Sequence, residues 1–72
     1  MFRDFRFSVN GEIFEGYVIS VLEPKVGIYD NKSKKIVMRT IRFDSDNNSF
    51  FTWNGKTCFI NESLDGFEIE VR

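Results

Sequence analysis

Histidine, alanine and glutamine are absent from these 72 residues, cysteine and proline occur once each, and leucine appears only as Leu22 and Leu64. Each absence excludes something. Without histidine there is no imidazole to act as a general base or to hold zinc. A lone Cys58 forbids an internal disulfide, and with no histidine to activate it the thiol is expected to serve as a small buried hydrophobe rather than a nucleophile. The strongest helix formers are scarce, so no substantial helix is expected. No apolar run is long enough to span a bilayer, and Arg3, Asp4 and Arg6 interrupt any signal-peptide pattern, which favours a cytoplasmic protein with no membrane partner. There is no glycine-rich phosphate loop and no paired carboxylate arrangement, so an enzyme, a cofactor and a small-molecule substrate are all unexpected.

What is present is strand-forming. Thirteen residues are valine or isoleucine and twelve are aromatic, a composition that favours β-structure. Residues 5–22 form the organising stretch, a long hairpin about Asn10-Gly11, because a two-residue type I′ turn needs positive φ at both central positions. The turn sets the register: Phe5 opposite Gly16, Phe7 opposite Phe14 and Val9 opposite Glu12 on one side, Arg6 opposite Glu15 and Ser8 opposite Ile13 on the other. The first side reads as core and the second as solvent-facing. The same register sets Arg3 opposite Val18 and Asp4 opposite Tyr17. Beyond Gly16 the second strand is apolar on both sides, so Gly16 is read as a bend that sends its second half into another sheet. The competing reading is a flat strand whose extra apolar face meets another subunit.

Glu23-Pro24-Lys25 ends that strand, a third follows at 26–29, and Asp30-Asn31-Lys32-Ser33 turns the chain into a fourth at 34–43 whose inward side is ambiguous. Residues 44–49 are all Asp, Asn or Ser. They imitate a calcium loop, but Ser49 and Gly55 stand where glycine and a bidentate glutamate are required, and a solvated turn is expected instead. A second Asn-Gly hairpin joins 50–53 to 56–60, with Phe51 opposite Cys58. Asp65-Gly66 then turns into a last strand in which Phe67, Ile69 and Val71 alternate with charged residues. Asn-x-Ser triplets at Asn31, Asn47 and Asn61 fall in or near turns and are read as turn chemistry. The sum is one all-β domain over 1–72: a small antiparallel meander barrel or two-sheet sandwich of six or seven short strands. A core this small supplies only about 3 to 5 kcal/mol, which makes association with a partner or with itself an attractive source of further stability.

Residues 5–43 resemble the Sm-like small-barrel family and its Hfq branch of bacterial RNA chaperones. The resemblance is carried by Val9-Asn10-Gly11, by the apolar-x-Gly-x-apolar run through Phe14, Gly16 and Val18, by residues 26–31 with their polar turn, and by Ile36-Val37-Met38-Arg39-Thr40-Ile41 as the second short motif. It implies a curled barrel whose edge strands join neighbours into an RNA-binding ring. The chain departs from that pattern in starting with a strand rather than a helix. It also has Met38-Arg39-Thr40 where Hfq has Tyr-Lys-His, so only the charge at Arg39 carries over.

Charge is unevenly spread around a net −1: residues 1–24 carry −2, residues 25–42 carry +5 and residues 43–72 carry −4. Two functional classes follow. A protein-interaction module, favoured slightly, would use Tyr17, Ile19, Met38, Phe50 and Trp53 to self-associate or to bind and inhibit a partner protein, as compact phage or plasmid inhibitors do. The alternative is a single-stranded RNA- or DNA-binding barrel using Lys25, Lys32, Lys34, Lys35, Arg39 and Arg42, with Tyr29 to stack on a base.

Overall fold

A computed structural model describes residues 5–20, 24–64 and 66–72. All its regular structure is β: β1 (Phe5–Val9), β2 (Glu12–Ser20), β3 (Lys25–Asp30), β4 (Lys35–Thr40), β5 (Arg42–Phe43), β6 (Ser49–Trp53), β7 (Lys56–Ser63) and β8 (Gly66–Val71). The strands form two four-stranded antiparallel sheets in simple chain order, β1-β2-β3-β4 and β5-β6-β7-β8. Neither sheet closes into a barrel. Among the described residues no helix is long and apolar enough to cross a membrane.

Both Asn-Gly hairpins have the expected registers, Phe7 opposite Phe14 in the first and Phe51 opposite Cys58 in the second. Positive φ at Asn10 and Gly11 (52° and 83°) and at Asn54 and Gly55 (48° and 78°) is what a type I′ turn requires. The expected sidedness of the first hairpin follows: Phe5, Phe7 and Val9 are buried while Arg6 and Ser8 are exposed, with Arg6 Nη2 3.3 Å from Glu15 Oε1. The expected pairings of Arg3 and Asp4, and the positions of Val21, Leu22, Glu23 and Asp65, lie outside the described residues.

Two expectations are corrected. Gly16 does not send β2 into another sheet, since Tyr17 and Val18 pair with Gly27 and Val26 of β3 within the first sheet. What Gly16 does is accept a ring: a Cβ there would fall 2.6 Å from Phe5 Cζ. The sheet change happens instead in the stretch read as one fourth strand, which breaks at Ile41 into β4 and β5 and brings the strands among the described residues to eight. Ile41 is buried, and its amide donates to the Pro24 carbonyl at 2.8 Å. Val37 and Arg39 before the corner and Ile41 at it share the inward parity, so the side-chain alternation runs on while the pairing partner changes from β3 to β6. Strands that switch sheets through a bend commonly form such corners.

The core lies where the sheets face each other. Phe5, Phe7 and Phe14 from the first sheet meet Phe51 and Trp53 from the second, with ring centroids 5.2 to 6.5 Å apart. Several of these contacts are edge-on, which aromatic quadrupoles favour. Val9, Val26, Ile28, Ile41 and Cys58 are buried with them. Burial pushes the Cys58 thiol up to about 11, so it remains a neutral thiol in the core.

The 44–49 loop is held by one carboxylate. Asp44 Oδ1 accepts the amides of Asp46 and Asn48, both at 2.9 Å, and Asn47 takes positive φ (65°) between them. The Asn48 amide, above all, holds the Asp44 carboxyl below its ordinary 3.8. A folded-state value lower than the unfolded one means that the loop's stabilisation is complete above the ordinary aspartate value and is lost as pH falls through the lowered one. In an NMR titration the Asp44 carboxyl is therefore expected to show a midpoint under 3.8, with Asn48 amide exchange accelerating only below it. A midpoint at or above the ordinary value would remove Asp44 as the organiser of the loop.

Candidate functional site

Pleating gives the first sheet an outward side as well as a core side. Paired residues share a face, so the outward face carries Ile13 and Tyr17 from β2, Gly27 and Tyr29 from β3, and Ile36 and Met38 from β4. Ile36 and Met38 are 43% and 47% exposed, and Ile13 and Ile19 are exposed as well. Gly27 sits at the centre of this face and is nonetheless buried, because Tyr17, Ile19 and Ile36 lean over it. A Cβ at Gly27 would stand 3.0 Å from Ile19 Cδ1, 3.1 Å from Ile36 Cγ2 and 3.2 Å from Tyr17 Cζ. The result is a second apolar cluster, on the side of the sheet that faces solvent. Beside it a depression of about 440 Å³ is lined by Ile13, Glu15, Tyr29 and Asn31.

The outward face of the second sheet is built differently. Phe50 and Phe59 stack there with centroids 5.5 Å apart, but the Arg72 guanidinium lies 4.4 Å over Phe59 and is held by Glu70 at 2.8 Å. Glu68 and Glu70 share that side. Its aromatic area is thus shielded by charge, as a solvated face requires.

Of the five residues read as an interaction surface, Tyr17, Ile19 and Met38 come together on the first sheet's outward face. Phe50 is half-buried on the other sheet, and Trp53 is 4% exposed inside the core. Ile36 belongs to the same cluster and Ile13 lies on the same face at the neighbouring depression; the period-two pattern of 35–40 holds the signal for Ile36 once its inward side is known.

The basic set does not form one patch. Lys32, Lys34 and Lys35 stand at the β3–β4 turn, where Lys32 Nζ is 3.2 Å from Glu12 Oε1. Lys25 lies at the far end of β3, opposite Thr40 and five strand steps away, which is about 17 Å. Arg39 points inward, its guanidinium 5.0 Å over the Trp53 ring and its Nη1 donating to the Met38 carbonyl at 3.0 Å. Arg42 is on the second sheet, and Tyr29 borders the depression on the first. Among the described residues no group of three Cys, Asp or Glu side chains is placed to hold a metal ion.

No family model, curated protein or solved structure matches this chain. What the chain does must therefore be argued from the faces themselves.

A groove of about 440 Å³ also opens where the sheets part, lined by Val18, Ile41, Phe43, Ile60 and Phe67 with Glu62 at its edge. It continues the core outward.

Replacing Gly27 by alanine separates the two uses of a sheet face. The added methyl meets Ile19 and Ile36, which are exposed, and the half-buried Tyr17 ring, each of which has to give by only a few tenths of an ångström, so the stability is expected to change by less than about 1 kcal/mol. The Tyr17/Ile19/Ile36 cluster would spread. Thermal unfolding of Gly27→Ala checks this, and a loss of several kcal/mol would show that the cluster is part of the fold's own core.

Proposed function

We propose that this protein is a non-catalytic interaction module that works through the outward face of its first sheet, binding a partner protein or a further copy of itself. The observation that carries this reading is the cluster of Tyr17, Ile19 and Ile36 over Gly27, with Met38 and Ile13 exposed beside it. Contiguous apolar area on one face, next to a second sheet whose aromatics are shielded by Arg72 and Glu70, is the pattern of a surface kept for contact. Tyrosine and isoleucine at its centre offer rigid area that loses little entropy on docking. A module that binds and blocks a partner needs no titrating group, and the neutral buried Cys58 supplies none.

The nucleic-acid reading has less support, because Arg39 is occupied by Trp53 and Lys32 by Glu12, Lys25 lies at the opposite end of the first sheet from Lys34 and Lys35, and Arg42 is on the second sheet. In architecture we read the two sheets as a small open sandwich. An Sm-like relationship rests on the 5–43 motifs alone and would bring a ring of native mass six or seven times that of one chain.

The test compares the protein with an Ile19→Ser/Ile36→Ser/Met38→Ser variant by light scattering across a concentration series and by partner capture. The variant is expected to unfold at nearly the same temperature and to lose whatever association the parent shows. Equal association in both proteins would overturn the proposal.

A further inference from the structure

We propose that this face is engaged by strand addition: an extended segment of a partner protein, alternating acidic and apolar residues, pairs along the free edge of β4. The inference rests on the outward face being the contact surface, and adds the chemistry and geometry of what lands there. β4 is the last strand of its sheet, and among the described residues nothing pairs with its other side. It is six residues long, with four of them exposed, which is enough edge for a short peptide strand. The other edges are less open: β5 has only two residues, while β8 carries Glu68 and Glu70 and lies alongside β1. Short or charged edges are the usual protection against unwanted pairing.

The side chains then prescribe the partner. Residues opposed across an antiparallel pair share a face. Apolar residues must therefore meet Ile36 and Met38 to continue the outward cluster, and the residues between them fall opposite Lys35, Val37 and Arg39. Lys34, Lys35 and Arg42 are exposed and, among the described residues, have no carboxylate within ion-pair distance. The exposed positive charge of Lys34 and Lys35 at the turn end of the edge calls for an acidic residue at the intermediate position opposite Lys35. The same charges disfavour a second copy. Two-fold pairing of β4 with itself centred on Val37 would set Lys35 of one copy opposite Arg39 of the other, and like charges directly opposed are destabilising.

The test is an NMR titration of the isotope-labelled protein with blocked peptides that alternate glutamate with valine, lysine with valine, or glutamate with proline. The glutamate–valine peptide is expected to bind, to slow amide exchange along 35–40, to weaken as salt is raised, and to lose at least about tenfold in affinity for Lys34→Glu/Lys35→Glu. The other two peptides are expected to leave these amides unchanged. Equal binding of the lysine peptide would overturn the charge assignment. Shifts at Tyr17 and Ile19 without protection along β4 would overturn strand addition while leaving the face in use. Protection of β4 in the free protein that grows with concentration would put a second copy there instead. No response to any peptide would overturn the inference, and the serine variant described above decides the broader reading separately. Loss of association in that variant would keep the face as the contact surface without strand addition.

Discussion

Phe51→Ala is expected to leave the protein largely unfolded at 25 °C. Phe51 is fully buried, and its ring stands 5.9 Å from Phe5 and 5.6 Å from Phe7, so with Trp53 it joins the second sheet to the first. Truncating a buried phenylalanine costs about 3–5 kcal/mol through lost transfer energy and the cavity left behind. A core of this size supplies only about that much in total. No disulfide offsets the loss, because Cys58 is the one cysteine in the chain. Urea denaturation followed by tryptophan fluorescence is a direct readout, since Trp53 packs edge-on against Phe7 and Phe14 and reports the same interface. A variant that keeps a cooperative transition within about 1 kcal/mol of the parent would mean that the sheets do not depend on this contact.

The second large effect is expected at Gly16, where a single methyl should cost more than at any outward position. A Cβ there would lie 2.6 Å from Phe5 Cζ and 2.7 Å from the carbonyl oxygen of Gly27. The ring can turn aside only by giving up its packing on Phe7 and Phe51, and the carbonyl can move only by distorting the β2–β3 ladder. Overpacking of this kind costs about 1–3 kcal/mol, sometimes more. Gly16→Ala is thus expected to lower the unfolding midpoint clearly, while Gly27→Ala, one strand away on the opposite face, should hardly move it. Equal effects at the two glycines would contradict the assignment of one face to the core and the other to solvent.

That contrast also marks how far the sequence could be read. Turn chemistry acts locally, so Asn10-Gly11 and Asn54-Gly55 specified both hairpin registers and the burial of Phe7, Phe14, Phe51 and Cys58. The sheet change at Ile41 depends on which distant strands offer partners, and nothing in the local alternation of 34–43 signals it. Gly16 drew the wrong inference for a related reason: a glycine in a strand can mark a bend or a close approach, and only the position of the Phe5 ring distinguishes them. At the candidate site, the excess apolar character after Gly16 pointed to Tyr17 and Ile19, and the structure places both on the outward face, over Gly27. Trp53 was read as surface because its neighbours are polar in sequence, whereas the second hairpin turns its ring into the core beneath Arg39. The six basic residues of 25–42 look clustered in one dimension. Pairing of β3 with β4 separates Lys25 from Lys35 along the first sheet and turns Arg39 inward, while the break at Ile41 puts Arg42 on the second sheet.

Contact through the outward face of the first sheet can be read out by photo-crosslinking in an extract of the source cells, with a photo-reactive amino acid placed at Met38 in one protein and at Thr52, on the outward face of the second sheet, in another. One defined adduct is expected from position 38, lost when Ile36→Ser is added, and none from position 52. Adducts from position 52 alone, or identical adducts from both, would contradict it.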